Sequence, residues 1–222
     1  DWDITTSARP EQVKAIFGHT IDTGLQHGTV TIMRDKVGYE VTTYRIDGEY
    51  EDGRHPKEVE FTSNLLEDLK RRDFTINTMA YNPKEGLVDA FEGIQDLKEK
   101  RIRCVGNALE RFTEDALRIL RAIRFSAQLG FSIEESTWEA IKVIAPNLIH
   151  VSKERIQVEL TKLLLSNHPD EIRKVFDREL DTRICADFPK IDPERIAIDP
   201  GLPTTQPTLL SILYFCFRIY GK

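Results

Sequence analysis

The sequence predicts an α+β fold in which a mixed α/β head comes first and helices alone follow. Residues 29–34 and 39–44 alternate in strand fashion on either side of a turn at 35–38, which indicates a β-hairpin. From Gly93 onward the apolar residues recur with the helical period of about 3.6. This change of period places the domain boundary near Gly93.

Composition indicates a globular protein without a membrane span. The 222 residues are 40% hydrophobic and 31% charged, with a net charge of −6, and no apolar run approaches the length that a bilayer span needs. Cys104, Cys185 and Cys216 are odd in number and far apart. We therefore expect free thiols in a reducing cytosol and no zinc site.

Shorter elements of the head are predicted around the hairpin. Ser7 can cap a helix that reaches Phe17, and the next glycines, Gly24 and Gly28, indicate a loop. The other predicted elements are a strand at 57–61, a helix at 63–72 and a short strand at 87–91.

The second part is predicted to contain only helices. Gly130 suits the C-cap of a long helix, and the apolar segment 208–220 is predicted to be a buried core helix. The helices are expected at residues 94–98, 107–129, 134–144, 152–165 and 170–176.

Two acids open the chain with the spacing that puts both on one face of a strand. Asp1 and Asp3 are separated by one residue, and residues i and i+2 of a strand point the same way. Neighbouring carboxylates repel each other unless a cation lies between them, and Mg²⁺ prefers such oxygen ligands. The alternative is a solvated turn that happens to carry two acids.

Glu40 interrupts a strand that is otherwise rich in β-forming residues. An edge strand can carry an exposed acid without cost, and spacing alone favours this interpretation. The other hypothesis is that Glu40 turns toward Asp1 and Asp3 as a third carboxylate.

The segment 47–56, DGEYEDGRHP, is polar and rich in turn residues, so it is predicted to be a mobile loop. Its length suggests a functional loop, although a plain flexible insertion explains it equally well.

Arg72, Asp73 and Asn77 bring a guanidinium, a carboxylate and an amide within about one helical turn. Such groups can bind a phosphate and sugar hydroxyls. An ordinary intrahelical ion pair with a cap is the simpler explanation of this stretch taken alone.

The stretch from Glu114 to Phe125 combines a core stripe with a polar face. The polar face carries Asp115, Arg118 and Arg121, which can simply form surface ion pairs. The sharper hypothesis concerns base recognition. The amino group and ring nitrogen of cytosine or adenine match one acceptor, Asp115, and one donor, Arg118, whereas uracil and guanine present the reverse pattern. The core stripe consists of Leu117, Leu120, Ile123 and Ala127.

These stretches, in this order, resemble the class II CCA-adding enzymes, which are tRNA nucleotidyltransferases of the DNA polymerase β superfamily. The resemblance extends from Asp1 to about Leu165. The matching motifs are DWDITTSARPEQV, GLQHGTVTI, YEVTTYRIDGEYEDGRHP, EDLKRRDFTINTMAY, VDAFEGIQDL, ERFTEDALRILRAIRF and VSKERIQVELTKLL.

The resemblance implies a role for each motif. Asp1 and Asp3 match the paired metal-binding aspartates, and Glu40 matches the acid of the neighbouring strand. The loop 47–56 matches the flexible loop that helps the switch from CTP to ATP. The implied nucleotide-binding residues are Arg72, Asp73 and Asn77 for phosphates and sugar, Asp115 and Arg118 as the template for C and A, and Arg121 and Arg124 on the same helix.

The resemblance also implies a domain organisation. The expected parts are a polymerase-β-like nucleotidyltransferase head at 1–92, a base-recognising helical neck at 93–166 and a helical body at 167–222. The family carries a Gly-Gly-x-Val-Arg-Asp segment just before the aspartate pair, and the printed sequence begins after it. The head is therefore expected to be incomplete. The body is also expected to be incomplete, because residues 180–222 carry weak motif content and show no full tail domain for tRNA.

The implied activity is Mg²⁺-assisted, template-independent addition of CCA to the 3′ end of tRNA from CTP and ATP, with release of pyrophosphate. We expect tRNA as the partner, no membrane, a cytoplasmic location and a homodimer as one option. The alternatives are an A-adding, CC-adding or poly(A) polymerase relative, an inactive RNA-binding protein of the same fold, and a structural domain with no site.

Overall fold

A computed structural model describes residues 3–48 and 59–172 of the chain. The chain divides into two compact units. The first unit comprises Asp1–Arg72 and Thr78–Ala90, and the second comprises Asp73–Asn77 and Phe91–Lys222. The division into head, neck and body remains a prediction.

A mixed four-stranded sheet forms the centre of the first unit. Its strands are β1 (Ile4–Thr6), β2 (Thr20–Gly24), β3 (Thr29–Arg34) and β4 (Val37–Thr43). The strand order is β1-β4-β3-β2, with β1 parallel to β4 and the other neighbours antiparallel. Helix α1 (Pro10–Ile16) buries Val13 against Val30 and Val41 of this sheet.

The predicted hairpin is confirmed as β3 and β4, with a tighter turn than expected. Only Asp35 and Lys36 connect the strands, and both have positive φ, 51° and 64°. Two left-handed turn residues match the right-handed twist of paired strands. Gly38 therefore belongs to β4, opposite Met33.

Strand β2 was not predicted from the sequence, and it ends at Gly24, where the predicted loop begins. It lies at the sheet edge and pairs with β3 only through a register shift between Ile21 and Gly24. An irregular edge strand with mostly exposed residues lacks the alternation by which strands are recognised.

Among the described residues, the rest of the first unit contains two short antiparallel strand pairs and one α-helix. Strands β5 (Arg45–Asp47) and β6 (Val59–Phe61) pair, and β7 (Ala80–Asn82) pairs with β8 (Gly86–Val88). Helix α2 (Leu65–Lys70) begins after Asn64, whose side chain accepts the Leu66 N–H at 3.0 Å. Asp47 ends β5, whereas residues 49–56 of the predicted loop lie outside the described residues.

The described residues of the second unit are helical apart from one short strand pair, so the α+β prediction is confirmed. Two of the predicted helices lie partly or wholly outside the described residues. The segment 170–176 begins as a 3₁₀ turn, Pro169–Ile172, and its remaining residues are not described. The predicted core helix at 208–220 lies entirely outside the described residues. The elements are α3 (Gly93–Lys98), β9 (Arg101–Ile102), α4 (Ala108–Glu114), α5 (Leu117–Leu129), β10 (Ser132–Ile133), α6 (Glu135–Ile144) and α7 (Lys153–Leu164).

A break at Asp115 corrects the prediction of one continuous helix over 107–129. Asp115 has extended backbone angles, φ −152° and ψ 102°, and separates α4 from α5. Its carboxylate accepts the Leu117 N–H at 3.1 Å, and its carbonyl accepts the Arg118 N–H. A short acidic side chain that binds nearby backbone competes with helix continuation.

The predicted core stripe of α5 is confirmed, and Gly130 ends this helix in the left-handed conformation as expected. Leu117, Leu120, Ile123 and Ala127 are all buried. The cluster around them includes Phe74, Phe112, Trp138, Ile141, Ile156, Leu160 and Leu163. In the part of the chain that the structure describes, no helix is long and apolar enough to span a bilayer.

Truncation of this core tests the packing. Ile123 is fully buried, so Ile123→Ala should lower the free energy of unfolding of the second unit by about 3 kcal/mol. Leu109→Ala, at a position that is 43% exposed, should change it by about 0.5 kcal/mol or less. Urea denaturation followed by circular dichroism measures both, and equal effects would contradict the assignment of the core.

Candidate functional site

The register of β1 and β4 brings Asp3, just before β1, level with Glu40 in the middle of β4. Ile4 is the register partner of Val41 in the parallel pair β1–β4, and the two acids each precede these residues by one position. Both side chains are exposed. Asp1, the aspartate predicted to bind the metal together with Asp3, lies outside the described residues. Within the described residues, no group of three candidate metal ligands occurs.

The position of β4 bears on the edge-strand interpretation of Glu40. The strand order places β4 between β1 and β3, and Glu40 comes one residue before the stretch of β4 that pairs with β1. Its neighbours in register are the β3 residue Thr31 and, by continuation of β1, Asp3. An exposed acid beside another acid at this place is not explained by edge protection.

Arg72 is the last residue of the first unit before the chain enters the second. Its Nη2 lies 3.3 Å from Oδ2 of Asp68, a fully buried acid of α2. The Arg72 side chain is 28% exposed. The guanidinium of Arg72 thus contacts the buried carboxylate of Asp68, and the Arg72 side chain remains partly exposed to solvent.

Asp73 and Asn77 lie together in the second unit, as the sequence predicts for two groups within one turn. One oxygen of Asp73 accepts from the Asn77 side chain at 3.1 Å and from the Phe74 N–H at 2.8 Å. The other oxygen accepts from Nε and Nη2 of Arg121, at 2.8 and 2.7 Å. The charged partner of Asp73 thus comes from helix α5, whereas Arg72 forms a local ion pair with Asp68, four residues before it.

This environment changes the pKa of Asp73. Burial alone raises it, but the charge of Arg121 and the hydrogen bonds from Asn77, Arg121 and the Phe74 N–H outweigh burial and hold the pKa below its ordinary value. Asp73 is therefore a carboxylate at neutral pH, and it serves as an acceptor only.

The two residues predicted to select the base each have a partner of opposite charge. Nη1 of Arg118 donates to Glu114 at 2.6 Å and to the carbonyl of Arg111 at 2.9 Å. The Asp115 carboxylate accepts hydrogen bonds from both terminal nitrogens of Arg155, at 2.7 and 3.3 Å. Because Asp115 lies in the helix break and Arg118 in the first turn of α5, acceptor and donor are held separately.

Arg124 is not placed as the sequence suggests. It is 6% exposed, pairs with Glu159, donates to Gln128 at 2.6 Å and stacks 4.0 Å from the Phe125 ring centre. A buried guanidinium that binds two side chains in this way supports the helix packing. The geometry therefore favours Arg121, whose side chain is 32% exposed, over Arg124 for contact with a ligand.

Sequence reasoning missed Arg155, Glu159 and Asp68, which hold the predicted residues in place. Glu159 pairs with Arg124, and its other oxygen lies 3.7 Å from Arg121. The available signal was its position among Ile156, Leu160 and Leu163, where an acid interrupts an apolar stripe. Arg155 carried no comparable signal, because its partner is 40 residues away.

Residues 1–103 match the family model described as the poly A polymerase head domain. Residues 130–179 match the model described as the probable RNA and SrmB-binding site of polymerase A. Two independent models thus cover parts of both units.

Curated relatives agree with these matches. The CCA-adding enzyme of Oceanobacillus iheyensis is 52% identical over 185 residues, which is 83% of this chain and 46% of that protein. The CCA-adding enzyme of Lactobacillus helveticus is 44% identical over 224 residues, covering 99% of this chain and 55% of that protein. The chain thus spans about half the length of the curated relatives it matches.

Solved structures show the same fold. The Bacillus stearothermophilus CCA-adding enzyme in complex with CTP matches with a TM-score of 0.74 and 41% identity, covering 81% of this chain and 44% of that one. The Thermotoga maritima CCA-adding enzyme complexed with a tRNA matches with a TM-score of 0.64 and 30% identity, covering 82% and 41%.

A mixed sheet with adjacent acids, followed by helices that carry paired acids and arginines, defines a head and helical unit of the nucleotidyltransferase class. The chain belongs to the family of CCA-adding enzymes and poly(A) polymerases. This family assignment confirms the resemblance on which the roles of the motifs were predicted.

The ion pair of Asp73 has a testable pH dependence. Because its folded pKa is lowered, the charged carboxylate adds stability above its unfolded pKa of about 3.9, and this stability is lost as the pH falls through the folded pKa. Asp73→Asn should lower the free energy of unfolding by about 3 kcal/mol at pH 7. The difference from the unmodified chain should shrink at pH 3.

Asp22→Asn is the control, since Asp22 forms an exposed pair with Lys14 and should cost about 0.5 kcal/mol or less. Urea unfolding of each variant at pH 7, 5 and 3 measures the effect. A deficit for Asp73→Asn that is the same at all three values would contradict the linkage.

Proposed function

We propose that the protein adds C, C and A to the 3′ end of tRNA, using CTP and ATP and no nucleic-acid template. The observation that carries the proposal is that Asp115 and Arg118, three residues apart at the helix break, are held by different partners. Arg155 holds Asp115 and Glu114 holds Arg118, so one acceptor and one donor are fixed near each other in the chain.

This arrangement favours two of the four bases. Asp115 accepts from the amino group of cytosine or adenine, while Arg118 donates to the adjacent ring nitrogen. Uracil and guanine offer a carbonyl and a ring N–H, which leaves both protein groups without a complementary partner. Each mismatch of a desolvated polar group costs about 1–3 kcal/mol, which is enough for useful selection.

Arg72, Asp73 and Asn77 supply the remaining nucleotide contacts in this proposal. The partly exposed guanidinium of Arg72 donates charge-assisted hydrogen bonds to phosphate oxygens. Asn77 and Asp73 provide a donor and an acceptor for sugar hydroxyls, and Arg121 adds positive charge beside them.

Divalent metal use follows from the family, and we propose Mg²⁺ held by Asp1, Asp3 and Glu40. The fit rests on Asp3 and Glu40, which are adjacent, exposed and of one charge, and which form no ion pair with another described residue. Mg²⁺ bound there would lower the pKa of the tRNA 3′-hydroxyl and would stabilise the departing pyrophosphate.

The proposed partners are tRNA, CTP and ATP, since solved relatives are described with CTP, with tRNA, and with a primer tRNA and an ATP analogue. A cytoplasmic location is part of the proposal, and a homodimer remains a prediction. Size-exclusion chromatography with light scattering measures the oligomeric state directly.

Incorporation of radiolabelled CTP and ATP into a tRNA that lacks its 3′ CCA tests the activity. We expect two C and one A in the presence of Mg²⁺, nothing after EDTA, and no addition of U or G. Addition of A alone, C alone or a long A tract would assign the chain to a different member of the family. No incorporation, also with the family's upstream glycine segment added, would contradict the proposal.

Removal of one proposed metal ligand gives a second prediction. Asp3→Ala should lower the rate of incorporation at least about 100-fold, because the metal contributes several kcal/mol to transition-state stabilisation. Asp22→Ala removes an exposed acid of the same unit and should leave the rate unchanged. Equal turnover of Asp3→Ala and the unmodified chain would exclude the metal role of Asp3.

Arg155 gives a third prediction, because it holds the base-reading carboxylate. Arg155→Ala should reduce the preference for CTP over UTP by about tenfold through the freed Asp115 side chain. Lys153→Ala, an exposed site on the same helix α7, is the control. Single-nucleotide incorporation kinetics with each triphosphate measure the ratio, and an unaltered ratio in Arg155→Ala would refute the role.

A further inference from the structure

A cluster of three arginines and two acids lies within the first unit, and the proposed mechanism uses only one of its members. We call Arg45, Asp47, Asp68, Arg71 and Arg72 the arginine–acid cluster. It joins strand β5, which carries Arg45 and Asp47, to helix α2 and the two residues that follow it. The Asp47 side chain is 6% exposed and that of Asp68 is fully buried.

Asp68 is the centre of this cluster. Its Oδ1 accepts from Nη2 and Nε of Arg71, at 2.6 and 3.1 Å, and from the backbone N–H of Arg45 at 3.2 Å. Its Oδ2 accepts from Nη2 of Arg72 at 3.3 Å. A buried carboxylate is costly unless it is paired and hydrogen-bonded, so these contacts fix its position.

Arg71 contacts the other members of the arginine–acid cluster through most of its guanidinium nitrogens. Besides its two bonds to Asp68, its Nε lies 3.2 Å from the carbonyl of Arg45, and its Nη1 lies 3.8 Å from Asp47. It is 19% exposed, less than the 28% of Arg72. Two adjacent arginines therefore have different surroundings. Arg71 contacts both β5 and α2, whereas Arg72 contacts Asp68 at the longer distance of 3.3 Å and is the more exposed of the two.

We propose that Asp68 is a positioning residue that sets the Arg72 guanidinium toward the phosphates of the incoming nucleotide, with Arg71 locking Asp68 in place. This inference rests on the proposed function, in which Arg72 contacts phosphate. Asp68 itself touches no ligand, and Arg71 is not a second phosphate contact.

The sign of the effect separates positioning from charge. Asp68→Asn removes a negative charge close to Arg72, so an effect of charge alone strengthens the binding of an anionic triphosphate. Loss of positioning weakens it, because Arg72 must then be ordered at the moment of binding. The two accounts predict changes in opposite directions.

The experiment measures the equilibrium affinity of the full chain for CTP and for cytidine, with Mg²⁺ present and without tRNA. Asp68→Asn should weaken CTP binding about tenfold, in keeping with the loss of one charge-assisted hydrogen bond, and leave cytidine binding unchanged. Arg71→Ala should give the same pattern. Thermal unfolding of every variant shows that it is folded at the temperature of measurement.

A double-mutant cycle shows whether Asp68 acts through Arg72. In the Arg72→Ala background, Asp68→Asn should cause no additional loss of CTP affinity. Glu134→Ala is the control for destabilisation without a role at the nucleotide, since Glu134 caps helix α6 through the Thr137 N–H. It should leave the CTP affinity unchanged.

Each other result overturns the inference. Tighter or unchanged CTP binding by Asp68→Asn, parallel losses for CTP and cytidine, or a full additional loss in the Arg72→Ala background would show that Asp68 does not position Arg72. If the unmodified chain binds no CTP at all, the proposed function fails together with the inference. Normal CTP binding that Asp68→Asn leaves unaltered overturns the inference alone.

Discussion

The buried ion pair between Asp73 and Arg121 is the constraint on which the second unit depends. The two residues are 48 positions apart, and their contact fixes the segment 73–77 to helix α5. A backbone bond from the Val105 N–H to the Asp73 carbonyl ties the same segment to the chain after β9. Since α5 also carries Arg118, one buried carboxylate sets the spacing between the proposed sugar contacts and the proposed base contact. Loss of the pair therefore affects stability and recognition together.

The proposed nucleotide-binding groups share one design, in which a charged partner holds each of them. Asp115 is held by Arg155, Arg118 by Glu114 and Arg72 by Asp68. Groups that are oriented before the ligand arrives need little reorganisation on binding, which favours both affinity and selection. In the proposed function, this order takes the place of a complementary strand, because the protein alone presents the acceptor and the donor.

Periodicity predicted most of the fold, and it failed where local or long-range contacts decide the structure. The β3–β4 hairpin, the C-cap at Gly130 and the helices of the second unit follow from spacing alone. Strand β2 was missed because a bulged edge strand leaves no alternation, and the break at Asp115 was missed because a side chain competes with the helix for a backbone N–H. For the site, motif resemblance selected the residues, and the structure then placed the strand of Glu40 between two others. The ion pairs of Glu159 and Arg155 span 35 and 40 residues, so the sequence gives no local sign of which residue each one binds. Asp68 is only four residues from Arg72 and was overlooked.

The claim that Asp115 and Arg118 select cytosine and adenine without a template is tested most directly by nucleotide affinities in the absence of tRNA. Titration of the chain with CTP, ATP, UTP and GTP, each with Mg²⁺, measures recognition apart from catalysis and primer. We expect CTP and ATP to bind about tenfold or more tightly than UTP and GTP, since the wrong bases leave polar groups unpaired. Equal affinity for all four nucleotides would contradict it.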